Sequence, residues 1–295
     1  MNTIGYVGLG AMGGRMAGRL LGLGNRVYGT NRTRAKAEPL IERGLIWCGT
    51  PREVAAAAQV VFSMVTDDAA LESITAGSAG ILAGLGPGKI YLDMSTVSPA
   101  ASSGLSDQVR ATGAHMLAAP VSGSVHAVEQ GSLAIMVGGD TEPFHAVEPL
   151  LHQLGQQVTH VGGNAEALLL KLAINDSLAA QLLAFCEGVL LAERGGVDRK
   201  KAIEVMNGSA IGSRSLRARA DFLLDPRADP WFDVALMQKD IRLALATADT
   251  LGVAMPAAQV TDALLTKARE LGHADRDIAI MIEVLQQLPT GSARP

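Results

Sequence analysis

Cysteine is scarce in this chain: Cys48 and Cys186 are the only two among 295 residues, and they lie far apart. That excludes a cysteine-based zinc knuckle and a disulfide scaffold, and it suits a reducing cytoplasm. Aromatic residues are also few, with five Phe, three Tyr and two Trp. They cannot make a platform that stacks single-stranded bases. Neither sign of charge dominates; the formal net charge is −4, which argues against a nucleic-acid binder with a strongly basic face. No basic start followed by an apolar run marks a targeting segment. The most apolar later stretch, 165–194, is broken by Lys171, Asp176 and Glu187. It reads as a buried helix of a soluble protein, with no membrane partner. Apolar residues, by contrast, are abundant, at 48 % against 18 % charged. That composition can fill one or two cores and argues against disorder, and the length suggests roughly two domains.

Short apolar runs at 3–8, 26–31, 60–64, 90–94 and 115–121 alternate with helical spacing at 12–21, 34–43, 52–58 and 99–112. Buried strands alternating with helices mean βαβ units and a mostly parallel sheet. Two more runs, 133–137 and 157–161, flank a helix opened by Glu142 and Pro143 and complete the sheet. After Gly162-Gly163 the strand signals stop. The stretch 165–194 spans about 45 Å as a helix. Asp198 caps a helix running to Met206, and others are expected at 234–251, 256–271 and 275–288. The expected organisation is an α/β domain at 1–162, an all-α domain at 163–290 entered through the long helix, and a flexible tail at 291–295.

Gly8-Leu9-Gly10-Ala11-Met12-Gly13 follows the first strand and opens the first helix. This is the context in which G-x-G-x-x-G holds a dinucleotide. Gly8 permits the tight turn, Gly10 lets the backbone approach a pyrophosphate, and Gly13 lets helix and strand pack closely. An ordinary strand-to-helix turn is the alternative. The second strand ends at Asn31-Arg32-Thr33-Arg34, without the acidic residue that grips a ribose 2′-hydroxyl. Arginines there suit a 2′-phosphate and point to NADP(H); two solvated surface arginines would look the same.

Three further segments carry candidate chemistry. Asp93-Met94-Ser95-Thr96 and Ala119-Pro120-Val121-Ser122-Gly123-Ser124 lie at predicted strand ends, where open α/β sheets bind ligands. A Ser/Gly turn of this kind could hold a carboxylate, or be only a loop. Lys171 follows Leu168-Leu169-Leu170, and Asn175 lies four residues on, on the same helix face. Such a pair could protonate and orient a carbonyl oxygen. On an arbitrary helix, a lysine snorkelling from the core is the commoner occupant.

Taken in order, these motifs resemble the β-hydroxyacid dehydrogenases, which include 3-hydroxyisobutyrate dehydrogenase, tartronate semialdehyde reductase and the glyoxylate/succinic semialdehyde reductases. The resemblance runs from Gly8–Gly13 through Asn31-Arg32-Thr33, Asp93-Met94-Ser95-Thr96, Pro120-Val121-Ser122-Gly123, Met136-Val137-Gly138-Gly139 and Lys171 with Asn175 to Gln238-Lys239-Asp240. The glyoxylate/succinic semialdehyde reductase branch looks most similar, on Ser122-Gly123-Ser124, Ala184-Phe185-Cys186-Glu187-Gly188 and Gln238–Ala244.

The resemblance implies a Rossmann-type domain and an NADPH-dependent reductase of small carboxyl-bearing aldehydes, working by hydride transfer without a metal. Lys171 would be the general acid and Asn175 its orienting partner. Ser122, Gly123, Thr96, Phe232 and Asp240 would meet the substrate. Gly8, Leu9, Gly10, Ala11, Met12, Gly13, Asn31, Arg32, Thr33, Met64, Val65, Thr96 and Lys239 would meet the cofactor. Three positions depart from the family pattern: Ala118 replaces an Asp, and Ala165 and Ala167 replace glycines ahead of the lysine. The competing expectations are a 3-hydroxyisobutyrate or tartronate semialdehyde enzyme, an imine reductase, which typically lacks the lysine, and an NADP-binding scaffold. The long apolar helix leads us to expect a homodimer or homotetramer assembled through the helical domain.

Overall fold

The computed structural model describes residues 3–226 and 230–289. The chain divides into two compact units, 1–172 and 173–295.

The first unit is built on a nine-stranded sheet: β1 (Thr3–Val7), β2 (Arg26–Thr30), β3 (Ile46–Trp47), β4 (Val60–Ser63), β5 (Ile90–Asp93), β6 (His115–Ala118), β7 (Val121–Ser122), β8 (Leu133–Gly138) and β9 (Gly155–Gly162). Their spatial order is β3-β2-β1-β4-β5-β6-β8-β7, with β9 also paired to β8. From β3 to β6 every pairing is parallel; β8 runs antiparallel to β6 and β7 but parallel to β9. The chain order reverses at β1, which lies between β2 and β4. Such a switch point opens a crevice at the carboxyl ends of the strands.

Alternate residues along the strands feed two cores. Ile4, Tyr6, Phe62, Leu92 and Leu117 pack with Met16 and Leu20 of α1 (Ala11–Gly22) and with Phe144 and Val147 of α7 (Thr141–Leu151). Val7, Val61, Tyr91 and Ala118 pack with Val54 of α3 (Pro51–Ala57), Leu71 of α4 (Asp68–Thr75) and Leu105 of α5 (Pro99–Ala111). Ala167 and Leu168, from the start of α8 (Asn164–Arg194), belong to this second core. This compact unit therefore runs past Gly162-Gly163 into the long helix, because the helix's first turns complete its packing.

Two expected elements are cut short by proline. The expected strand 115–121 stops at Ala118; Pro120 has no N–H to give a ladder, and β7 turns away to pair with β8. The expected helix 34–43 divides into a 3₁₀ turn, Arg34–Lys36, and α2 (Glu38–Glu42), with Pro39 in its first turn. Helix α6 (Val125–Gln130) lies between β7 and β8.

The second unit is helical. The rest of α8 packs with α9 (Arg199–Gly208), α10 (Arg214–Ala218), α11 (Ala220–Leu224), α12 (Val234–Leu251), α13 (Pro256–Glu270) and α14 (Met281–Gln286) around Phe185, Cys186, Val189, Met237, Ile241 and Leu265. Asp198 caps α9 through the Lys201 N–H at 3.0 Å, as its sequence position indicates. The helix expected at 275–288 begins later, with a 3₁₀ turn at Ile278–Ile280 that the Asp277 side chain caps through the Ala279 N–H. The expected tail lies outside the described residues.

Candidate active site

The glycine loop joins β1 to α1. Gly8 has φ +91°, and a Cβ there would collide with the Met64 carbonyl oxygen. A Cβ on Gly13 would meet the Gly8 carbonyl oxygen, which explains how closely α1 packs on the loop. Gly10 is different: nothing lies within 4 Å of the place its Cβ would occupy. It sits at the N-cap of α1, with no side-chain cap and no acidic residue in the first turn. The helix N-terminal amides thus face an open, uncapped cradle, which fits the pyrophosphate of a dinucleotide. Met64 and Val65 line the same loop, the Val65 side chain standing close to Gly8.

Asn31 occupies the end of β2 in a way the sequence reading did not anticipate. Its Oδ1 accepts from the Leu9 N–H at 3.0 Å, and its Nδ2 donates to the Thr33 carbonyl at 2.9 Å. Both ends of the amide hold protein backbone, so Asn31 shapes the glycine loop and the Thr33 turn. The two arginines also separate. Arg34 pairs with Glu38 at 3.1 Å and lies over the Trp47 ring. Arg32 is exposed and makes no ion pair or hydrogen bond among the described residues.

At the ends of β4 and β5 lies a buried polar network found only in the structure. Asp93 is fully buried; its Oδ1 accepts from Ser63 Oγ at 2.7 Å and from Ser95 Oγ at 2.6 Å. Ser95 Oγ in turn accepts from the Val65 N–H at 2.9 Å. Ser63 also shares a hydrogen bond with the Tyr91 hydroxyl at 2.7 Å. Burial first, and the nearby Asp93 charge second, push the Tyr6 and Tyr91 hydroxyls well above their ordinary range. The network ties the loop after β4 to the loop after β5, where half-buried Thr96 follows Ser95. A lone polar residue in the apolar run Val60-Val61-Phe62-Ser63 was the available signal for it.

Ser122 ends β7, and its hydroxyl makes no hydrogen bond among the described residues. Gly123 has φ +145°, with Leu133 and Ala127 filling the space a Cβ would need. The departures at 118 and 167 are accommodated by packing. Ala118 is fully buried, and its N–H donates to Asn164 Oδ1 at 2.8 Å. Ala167 turns its methyl into the core toward Gly138, which has no Cβ to meet it. Ala165 is half-buried near the start of α8.

In the helical unit, Asn175 is buried and donates through Nδ2 to Asp240 Oδ2 at 2.6 Å. The other carboxylate oxygen, Asp240 Oδ1, pairs with Lys239 Nζ at 2.7 Å. Lys171, also buried, precedes Asn175 by one turn of α8. The loop carrying Phe232 is held by Asp277, which the sequence reading missed. Asp277 is fully buried; its Oδ2 accepts from the N–H groups of Trp231 at 3.0 Å and Phe232 at 3.2 Å. Its Oδ1 accepts from the Ala279 N–H at 3.0 Å and lies 3.6 Å from Arg219 Nε.

Residues 3–162 match the family model for the NAD binding domain of 6-phosphogluconate dehydrogenase. Residues 165–285 match the model described as NAD-binding of NADP-dependent 3-hydroxyisobutyrate dehydrogenase. The chain is 32 % identical over 284 residues to glyoxylate/succinic semialdehyde reductase 2, chloroplastic, of Arabidopsis thaliana, covering 96 % of this chain and 79 % of that protein. It belongs to the β-hydroxyacid dehydrogenase family. This β-hydroxyacid dehydrogenase is also 32 % identical over 283 residues to 2-hydroxy-3-oxopropionate reductase of Escherichia coli K12, covering 96 % of this chain and 97 % of the relative. Its fold is similar to that of Psf3 in complex with NADP+ and 2-OPP, with a TM-score of 0.89, 27 % identity, and coverage of 96 % and 99 % of the two chains. The protein is an oxidoreductase of hydroxyl and aldehyde groups that uses a nicotinamide cofactor, and a small-molecule substrate fits this family.

Proposed function

We propose that this β-hydroxyacid dehydrogenase is an NADPH-dependent reductase of small carboxyl-bearing aldehydes, of the glyoxylate or succinic semialdehyde type, with Lys171 as general acid. The observation that carries the reading is the buried Lys171, set one helical turn before an Asn175 whose amide is already anchored. The nicotinamide, when bound, supplies the hydride. Lys171 gives a proton to the carbonyl oxygen as negative charge develops there, and Asn175 orients the donor. The Ser122 hydroxyl and the backbone around Gly123 hold the substrate carboxylate, with Thr96 as a further contact.

Exposed Arg32 supports NADPH over NADH, since its guanidinium can form charge-assisted bonds to a 2′-phosphate. The open side of Gly10 supports phosphate binding at the start of α1. Two free, buried cysteines suit a cytoplasmic enzyme. Apolar side chains left exposed on the second unit, Leu191 of α8 and Val205 of α9 among them, support a homodimer or homotetramer formed through that unit. A single monomer peak in light scattering at micromolar concentration would remove that part of the proposal.

The experiment is NADPH absorbance loss with glyoxylate, succinic semialdehyde, tartronate semialdehyde and one cyclic imine, run beside Lys171→Ala. Reduction of an aldehyde acid that falls at least about 10²-fold in the variant, with NADPH binding unchanged, supports the reading. Imine turnover indifferent to Lys171 overturns it, and tight NADPH binding with no turnover favours a scaffold.

A further inference from the structure

Asp240 was expected to meet the substrate. Its surroundings argue for another task. It lies near the start of α12, is 3 % exposed, and has both carboxylate oxygens engaged: Oδ2 by Asn175 Nδ2 at 2.6 Å and Oδ1 by Lys239 Nζ at 2.7 Å. Asp240 itself offers a substrate carboxylate only like charge and no proton to donate. We infer that Asp240 is a positioning residue, which locks the Asn175 amide in one of its two orientations and holds Lys239 from the same anchor.

The argument is one of donors and acceptors. An asparagine amide is nearly symmetric in shape but not in hydrogen bonding: Nδ2 only donates and Oδ1 only accepts. An ionised carboxylate only accepts. Facing Asp240, the amide is therefore satisfied only with Nδ2 inward; flipped, it would set Oδ1 against Oδ2 in a buried place where repulsion is poorly screened. The carboxylate thus presents Oδ1 as the accepting end of Asn175. An acceptor of fixed direction is what a proton-donating lysine one turn earlier on α8 requires. An asparagine at 240 would not impose this choice, because its own amide can donate or accept. The ion pair with Lys239 fixes the carboxylate's plane, so Asn175 and Lys239 share one reference point.

The inference rests on the reductase reading above, and the experiment separates the two. Steady-state kinetics are measured on the full chain with NADPH and the best aldehyde of the panel, for wild type, Asn175→Ala, Asp240→Ala, Asp240→Asn and the N175A/D240A double variant. Side-chain amide hydrogen exchange of Asn175 is followed by NMR, its signal assigned with N175A. The expected result is a kcat about 10- to 100-fold lower in D240A with KM values within about threefold, as misorientation of a catalytic group predicts. D240N should fall between D240A and wild type. The double variant should be no slower than N175A alone by more than about threefold, the non-additivity of residues acting through one another. The Asn175 amide should be protected from exchange in wild type and lose that protection in D240A. A raised KM with unchanged kcat in D240A, a multiplicative double variant, or an unprotected Asn175 amide in wild type would each overturn the inference. If D240A does not fold, the nearly isosteric D240N and the wild-type exchange measurement decide. Wild type that reduces no aldehyde overturns the reductase reading first, before any variant is compared.

Discussion

The side-chain oxygen of Asn31 accepts the main-chain N–H of Leu9 at 3.0 Å, so the end of β2 sets the shape of the glycine loop after β1. On the proposed NADPH reading, cofactor preference falls to the neighbouring Arg32, whose guanidinium has no ion pair or hydrogen bond among the described residues. Arg32→Ala should lower kcat/KM for NADPH by about 10- to 100-fold, the worth of a charged hydrogen bond to phosphate, and leave NADH within about threefold. Asn31→Ala should weaken both cofactors together. Parallel titrations with NADPH and NADH check both outcomes.

Gly10 and Gly13 belong to one motif, yet they should fail differently when changed to alanine. A Cβ on Gly10 enters open space, whereas one on Gly13 runs into the Gly8 carbonyl. Gly10→Ala should fold with stability equal to or slightly above wild type, by up to about 1 kcal/mol, and lose NADPH affinity by at least tenfold. Gly13→Ala should lower the unfolding midpoint without cofactor. Urea unfolding of the apoprotein beside NADPH fluorescence titration distinguishes them.

Asp277 joins the Phe232 loop to Arg219, and its partners among the described residues are main-chain donors or that one buried guanidinium. Burial lowers the Arg219 pKa, and Asp277 offsets this. Asp277→Ala leaves the Arg219 charge without its counter-ion and should destabilise the protein by about 3–5 kcal/mol. Asp277→Asn, which still accepts backbone N–H groups, should fall in between. Denaturant melts of the two variants test this order.

Burial, reinforced by Glu187, raises the Cys186 thiol to about 12, against the smaller opposing effect of Arg199. The folded pKa is above the unfolded value of 9.0. The thiol's contribution to stability is therefore complete below pH 9 and is lost as pH rises toward 12, by at most about 4 kcal/mol. Wild type should lose stability more steeply than Cys186→Ala across that interval. Chemical denaturation at pH 8, 9.5 and 11 provides the measurement.

The elements most legible in the sequence are those whose pattern repeats. The alternating strands and helices of the first unit, the Gly8–Gly13 loop, the Asp198 cap and the helix Val234–Leu251 all follow from local spacing. Contacts set by partners distant in the chain were not legible. Nothing local announces that Ser63, Tyr91 and Ser95 meet around Asp93, or that Asp277 reaches back to Trp231 and Phe232. Asn31 stands out in the sequence as a candidate, but the sequence does not reveal that both ends of its amide are taken by backbone. Asp240 is similar: its position in Gln238-Lys239-Asp240 marks it, and only the hydrogen bond to Asn175 indicates its task.

The packing of Ala167 and Leu168 in the core of the first unit bears on how the gene can be divided. A fragment ended at Gly162, where the composition changes, would take two apolar residues out of the core to which Tyr91, Met116 and Ala118 belong and leave the flank of Gly138 uncovered. It would also lose Asn164, the acceptor of the Ala118 N–H. An expression fragment of the nucleotide-binding half should therefore carry the opening turns of α8, and a domain-swap library should place its junction within that helix rather than in the glycine pair before it.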